Sequence, residues 1–335
     1  MFALLFAAVA ALFFVNLSLG AVKIPFSEVW CALTGGIPSR ETWQYIILNY
    51  RLPKALTAIL AGMGLSVSGL LMQTLFRNPL AGPYVLGLSS GSSLGVAFIL
   101  LGAGLLPPAL SAIFLSSYGL VLASVLGSLM VMAAVLLVAQ RLRDTMAILI
   151  VGLMFGSFTS AIVGVLTYFS TAEQLQKFTF WSLGSLGNLS WENIAVLTAA
   201  CLAGLLLSAF CLKPLNALLL GERYAVSMGI NFKRTRLFII IATSLLAGSI
   251  TAFAGPIAFV GLAVPHMAKL TFRTADHKIL FIATLLFGAG IMLVCDTLTQ
   301  LPGTDSALPI NAITSIIGAP VVIWLLLRKQ KNQYH

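Results

Sequence analysis

Between Lys54 and Arg77 the chain carries no charged residue across 22 positions. That exceeds the ~20 apolar residues an α-helix needs to cross a bilayer. In lipid every backbone polar group must be paired internally, so such a stretch is committed to a helix. It opens at Arg51-Leu-Pro-Lys54, where proline suits the first helical turn. It closes at Arg77-Asn78-Pro79, a polar, helix-breaking corner. Inside it Ala61, Gly62, Gly64, Ser66, Ser68 and Gly69 allow neighbouring helices to approach closely. Gly87, Gly91 and Gly95 follow at one per turn, so residues 51–95 read as a helix–corner–helix hairpin packed within a membrane.

Only 8% of the 335 residues are charged and 59% are hydrophobic, against about 25% charged in a soluble domain. The fold class is therefore all-α, a polytopic membrane protein read as a single permease domain over residues 1–335. Apolar spans are predicted at 2–19, 53–76, 86–106, 113–139, 146–169, 193–212, 237–254, 256–270, 279–295 and 310–327, about ten in all. No basic segment precedes the first, which reads as an uncleaved anchor. Residues 21–50, with Lys23, Glu28, Trp30, Trp43 and Tyr45, read as an interfacial loop. The net charge of +10 does not indicate nucleic acid, because the cations fall in short loops between spans. With ten spans and cytoplasmic termini, the inner loops hold 14 cations and three acids, the outer loops five cations and six acids. This obeys the positive-inside rule.

The motifs argue against catalysis. Gly87-Leu-Ser89-Ser-Gly91 and Gly91-Ser-Ser93-Leu-Gly95 match G-x-S-x-G, but they open an apolar helix with no nearby base, so small-residue packing is the reading. No Gly-Lys pair exists, hence no P-loop. Three scattered histidines and no acidic cluster leave no metal site; His266 reads as packing, His277 and His335 as loop and tail. Cys201 and Cys211 read as packing residues. No cofactor is expected.

Three features keep two readings each. Residues Leu220-Gly221-Glu222-Arg223-Tyr-Ala225-Val-Ser-Met228-Gly229 form a long amphipathic turn, either a solvated connection or a docking element for a cytoplasmic partner. Ser157, Ser160, Gly164, Thr167 and Tyr168 recur at helical spacing, either as a packing seam or as a solute path. Arg51 and Lys54 stand at the outer end of the second span, either snorkelling or accepting a partner's carboxylates.

In order along the chain, R-L-P-K at 51–54, R-N-P-L-A at 77–81, L-G-L-S-S-G at 86–91, Y-F-S-T at 168–171 and W-S-L-G-S-L at 181–186 resemble the FecCD-type permeases. So do L-G-E at 220–222, G-P-I-A-F-V-G-L-A-V-P-H at 255–266, D-H at 276–277 and I-G-A-P at 317–320. These are the membrane subunits of ABC importers for iron–siderophore complexes, haem and cobalamin. The resemblance covers residues 49–328 and implies a homodimer of ten-helix subunits, each of two inverted halves, with the solute path at the dimer axis. It implies two cytoplasmic ATPases docked on 220–229 and an extracytoplasmic binding protein on the outer face. The chain departs from the family at Gln300 and Ala307, where members carry Arg and Glu. Docking of the binding protein is thus expected to lean on Arg51 and Lys54 beside Gln300. The expectation is a multi-pass permease of the cytoplasmic (inner) membrane, importing a metal chelate and catalysing no covalent chemistry. The alternative is a secondary transporter, which would need intramembrane carboxylates; all nine acids fall in or beside loops.

Overall fold

The computed structural model describes residues 1–84, 87–102, 115–139, 145–187, 189–300 and 307–331. Arg141, Arg143, Asp144, Asp305, His335 and the whole connection between the third and fourth predicted spans lie outside these residues.

Helix α1 (Phe2–Ser18) leads to the short α2 (Phe26–Leu33) and α3 (Glu41–Ile46), then through a π-turn at Ile47–Arg51 into α4 (Leu52–Leu75). Next come α5 (Leu88–Leu100), α6 (Ser117–Ala139), α7 (Thr145–Tyr168), α8 (Ala172–Leu183) and α9 (Trp191–Phe210). The last third holds α10 (Leu212–Leu219), α11 (Glu222–Ser227), α12 (Phe232–Ala254), α13 (Val260–Phe272), α14 (His277–Thr299) and α15 (Ile310–Lys331). Among the described residues there is no β-strand, only an isolated bridge between Gln300 and Ala307. The two positions that depart from the family pattern thus face each other.

Each predicted span overlaps one main helix, but not every one of these helices is long. Six helical stretches are long and apolar enough to cross a bilayer unaided, while α1, α5 and the apolar part of α15 are shorter. The 13 residues of α5 and of α13 reach only about 20 Å at 1.5 Å per residue, less than the ~30 Å hydrocarbon core. Each is opened by a left-handed residue, Gly87 at φ 81° and Phe259 at φ 66°, and each follows a helix of more than 20 residues. The sequences repeat there too, Ala81-Gly82-Pro83 before α5 and Ala254-Gly255-Pro256 before α13. A bulky residue rarely tolerates positive φ. Phe259 is braced by α15, where Gly318 lies against its side chain and Asn311 accepts from the Ala258 N–H at 3.1 Å.

Helices α4 and α12 form the centre, buried over most of their circumference. Helix α4 packs most extensively on α14, and α5 on α6. The small residues explain both contacts. A β-carbon at Gly62 would overlap the Gly288 carbonyl, and one at Gly91 would overlap the Gly127 carbonyl. The G-x-S-x-G glycines are therefore packing residues, as read from the sequence. We expect Gly288→Leu to cost more than the ~1–3 kcal/mol of ordinary overpacking, because the obstacle is backbone. Size-exclusion chromatography in detergent should show loss of the folded species; a monodisperse variant with an unchanged melting midpoint would refute the close crossing.

Candidate functional site

Three regions gather the residues singled out above. At one end of the bundle the start of α4 meets the end of α14, residues 184–187 and residues 307–310 around a cavity of about 610 Å³. Here lie Arg51, Lys54 and Gln300, brought together as the resemblance implied. Their state differs from an open cationic acceptor. Arg51 is only 8% exposed; its Nη1 donates to the Leu17 carbonyl at 2.6 Å and its Nη2 to the Val22 carbonyl. It clamps the end of α1 to the start of α4. Lys54 Nζ lies 3.0 Å from Asp296 Oδ1, with side-chain exposures of 18% and 1%. Asn16 of α1 donates to the other carboxylate oxygen at 2.9 Å. The two cations are thus already engaged, one by carbonyls and one by a carboxylate. Sequence reasoning placed Asp296 at a loop edge and missed Asn16 altogether, since nothing local signals a partner so distant in the chain.

Beside this cavity, α8 forms in the interval between the spans predicted at 146–169 and 193–212. Its signal was present as a capping box, Thr171 and Gln174 bonding each other's backbone N–H. Trp181 Nε1 then donates to the Ala252 carbonyl at 2.8 Å, and Ser185 N to the Ala254 carbonyl at 3.0 Å. This segment is thereby fixed to the end of α12.

Along one side of the molecule a groove of about 600 Å³ runs between α5 and α7. It contains Ser157 and Ser160 with Gly87, Ser90, Gly152 and Gly156. Gly164 and Tyr168 continue the same exposed face of α7 beyond the groove, and Thr167 is half-buried. Tyr168 is 83% exposed with its ring edge-on to Phe169. The predicted stripe is therefore open in the single chain; Gly152 and Gly156, four residues apart, extend it and were not singled out.

At the other end, residues 222–227, the centre of the amphipathic turn, form the short helix α11. Tyr224, Val226 and Met228 project outward, as does Leu220, whereas Ala225 is fully buried. Ala225 thus belongs to the packed side of the turn, a correction to its place in the docking set. Gly221 and Gly229 take φ of 121° and 83°, turning the chain at each end of α11. His277, read as a loop residue, is the first residue of α14 and 1% exposed. Asp276 caps α14, and the Lys278 N–H, followed by the Asn216 amide, holds its carboxyl below the usual carboxylate range. Residues assigned by charge counting to the inner loops meet here: Arg77 Nη2 donates to the Leu218 carbonyl at 2.9 Å and Lys269 to Gln73 Oε1 at 3.3 Å. Phe2 stacks on Phe272 at the same end. No group of three potential metal-ligating side chains occurs among the described residues.

A bundle of apolar helices, with a cavity at one end that gathers Arg51, Lys54 and Asp296 among apolar side chains and an uncharged groove along one side, has the architecture of a transmembrane transport permease. The profile of the FecCD transport family matches residues 8–328, and the chain belongs to that family. Over 317 residues it is 34% identical to the hemin transport system permease protein HmuU of Yersinia pestis, covering 94% of this chain and 92% of that one. It is 35% identical over 323 residues to the vitamin B12 import system permease protein BtuC of Klebsiella pneumoniae, covering 94% and 90%. A solved structure of a metal-chelate type ABC transporter in an inward-facing conformation superposes with a TM-score of 0.82 at 28% identity, covering 98% of both chains.

Proposed function

We propose that this chain is the membrane-spanning subunit of a binding-protein-dependent ABC importer, and that its cargo is a metal chelate: an iron–siderophore complex, haem or cobalamin. The observation that carries this reading is the α5–α7 groove. It is roomy at about 600 Å³, lined by glycines and serines with Tyr84, Leu153 and Ala161, and holds no charged side chain. A bulky chelate with its metal already wrapped needs weak, dispersed contacts of this kind, since tight fixed sites slow release. The family's permeases for haem and vitamin B12 support the cargo class. The exposed apolar face of α7, with Leu153, Met154, Phe158 and Val165, supports a second copy of the chain across the groove. The whole chain then acts as one permease domain in the cytoplasmic (inner) membrane, with both termini cytoplasmic. Two ATPases dock on Leu220–Gly229, and a binding protein docks at the cavity beside Arg51, Lys54 and Gln300. The permease itself catalyses nothing; hydrolysis in its partners rocks it between states.

Ion-coupled transport would need a carboxylate free to titrate within the membrane. Asp296 is buried but stands at the first turn of α4, ion-paired to Lys54 and bonded to Asn16, so it is committed to holding α1, α4 and α14 together. The path is tested by single cysteines at Ser157, Ser160 and Gly164, where an added side chain meets nothing within 4 Å in the last case. Reaction with a polar thiol reagent is expected to change severalfold between nucleotide-free and ATP-trapped assemblies. Uniform protection in every state would mark a packing seam instead.

A further inference from the structure

The short helix α10 is wedged between the docking turn and the two core helices α4 and α14, and one side chain accounts for most of its polar attachment. Asn216 Oδ1 lies 2.8 Å from the His277 backbone nitrogen and 2.7 Å from His277 Nδ1. Its Nδ2 lies 2.7 Å from Asp276 Oδ1. A backbone N–H only donates and an ionised carboxylate only accepts, so the amide orientation is fixed. The same inventory puts a proton on His277 Nδ1, because the amide oxygen facing it cannot donate. His277 Nε2 in turn meets the Thr74 hydroxyl of α4 at 2.8 Å. A continuous chain of hydrogen bonds therefore runs from α10 through the cap and first residue of α14 into the end of α4. Arg77, donating to the Leu218 carbonyl, adds a second tie between α4 and α10.

The docking turn follows α10 directly in sequence, through Gly221 at φ 121°. Leu220 N donates to the Ala217 carbonyl, Gly221 N to Leu218, and Ala225 N to Gly221, and Ala225 is buried against the body. On its far side the turn leaves through Gly229 at φ 83°, where a backbone pivot is tolerated. Backbone hydrogen bonds bridge both glycines, with Ile230 N donating to the Ala225 carbonyl on the far side. Helix α11 nonetheless packs more extensively on α10 than on α12, so its displacement is passed chiefly to α10.

We propose that Asn216 is the joint through which movement of the ATPase-docking turn reaches α14 and α4. It is a positioning residue for coupling, touching neither nucleotide nor cargo. Asn216 and Asp276 are half-buried, while His277 and Thr74 are buried. A satisfied polar network anchored on buried members is stiff and costly to break, which is what a lever joint needs and what an apolar contact that can slide does not supply. The inference rests on residues 220–229 being the dock.

The test uses the full assembly of permease, ATPases and binding protein in proteoliposomes, reading cargo moved per ATP hydrolysed. Asn216→Asp sets a carboxylate against Asp276, and the ratio is expected to fall about tenfold, the factor carried by a lost charge-assisted hydrogen bond, with hydrolysis and co-purification retained. Combining Asn216→Asp with Asp276→Asn exchanges the two roles, since Asn also caps helices well, and recovery to within twofold is expected. Equal loss of hydrolysis and assembly, an unchanged ratio, or failure of the double variant to recover would overturn the joint. Should Asn216→Asp fail to insert, hydrogen exchange on the wild-type assembly decides. The His277 amide stays protected with and without trapped ATP if the joint persists, and loss of protection in either state overturns it. Failure of the docking reading is separable, because it shows as full assembly after the turn itself is charged, with His277 protection untouched.

Discussion

Lys54→Met is expected to destabilise the detergent-solubilised permease by about 3 kcal/mol, the lower end for removing one partner of a buried ion pair, because Lys54 keeps 18% side-chain exposure. The cost arises from Asp296, fully buried and left with Asn16 as its remaining strong donor. Arg51 cannot replace the lost cation, since its guanidinium is committed to the carbonyls of Leu17 and Val22. Pairing Lys54→Met with Asp296→Leu removes both charges and should recover most of the loss, as apolar replacements of buried pairs do. Thermal unfolding of the four species forms a double-mutant cycle. Strictly additive effects of the two single changes would show that the pair does not bind α4 to α14.

The second large effect belongs to the docking turn. Val226→Asp with Met228→Asp is expected to leave insertion and melting temperature unchanged, because both side chains already face outward. Capture of the ATPase should fall by more than 100-fold. Each apolar side chain buried in a partner's groove contributes roughly 1.5–3 kcal/mol, and each 1.4 kcal/mol is a tenfold change in affinity. The aspartates must in addition be desolvated on docking. Co-purification of the ATPase with the permease checks this; equal recovery from the variant and the parent would remove the dock from residues 220–229.

Much of the fold was legible because lipid leaves few choices. Charge-free lengths marked the long helices, Gly62 and Gly91 marked the close crossings, and the sign of the loop charges foretold which helix ends meet. Arg77, Lys269 and Asp276 do gather at one end, with Lys54 and Asp296 at the other. What escaped was partnership across distance. Arg51 and Lys54 looked like a free pair because their partners, Leu17, Val22 and Asp296, are set by how α1 and α14 pack on α4, which no local pattern encodes. His277 was misplaced for the same reason, since only the fold brings Asn216 and Thr74 to its ring. Helix α8 was a different kind of miss, because its capping box was readable in the sequence yet no helix was assigned between 169 and 193. In the groove, Ser157 and Ser160 were found by their hydroxyls, while Gly152 and Gly156 carry no chemistry to notice and matter by leaving space.

The proposed function is ATP-powered import of a chelate whose charge is already satisfied. The permease should be reconstituted with its ATPases and a binding protein loaded with haem, cobalamin or an iron–siderophore complex, and uptake measured with and without ATP and an imposed proton gradient. The account predicts accumulation that requires ATP, both partners and an intact docking turn, and that ignores the gradient. Uptake by the permease alone, driven by the gradient and indifferent to ATP, would contradict it.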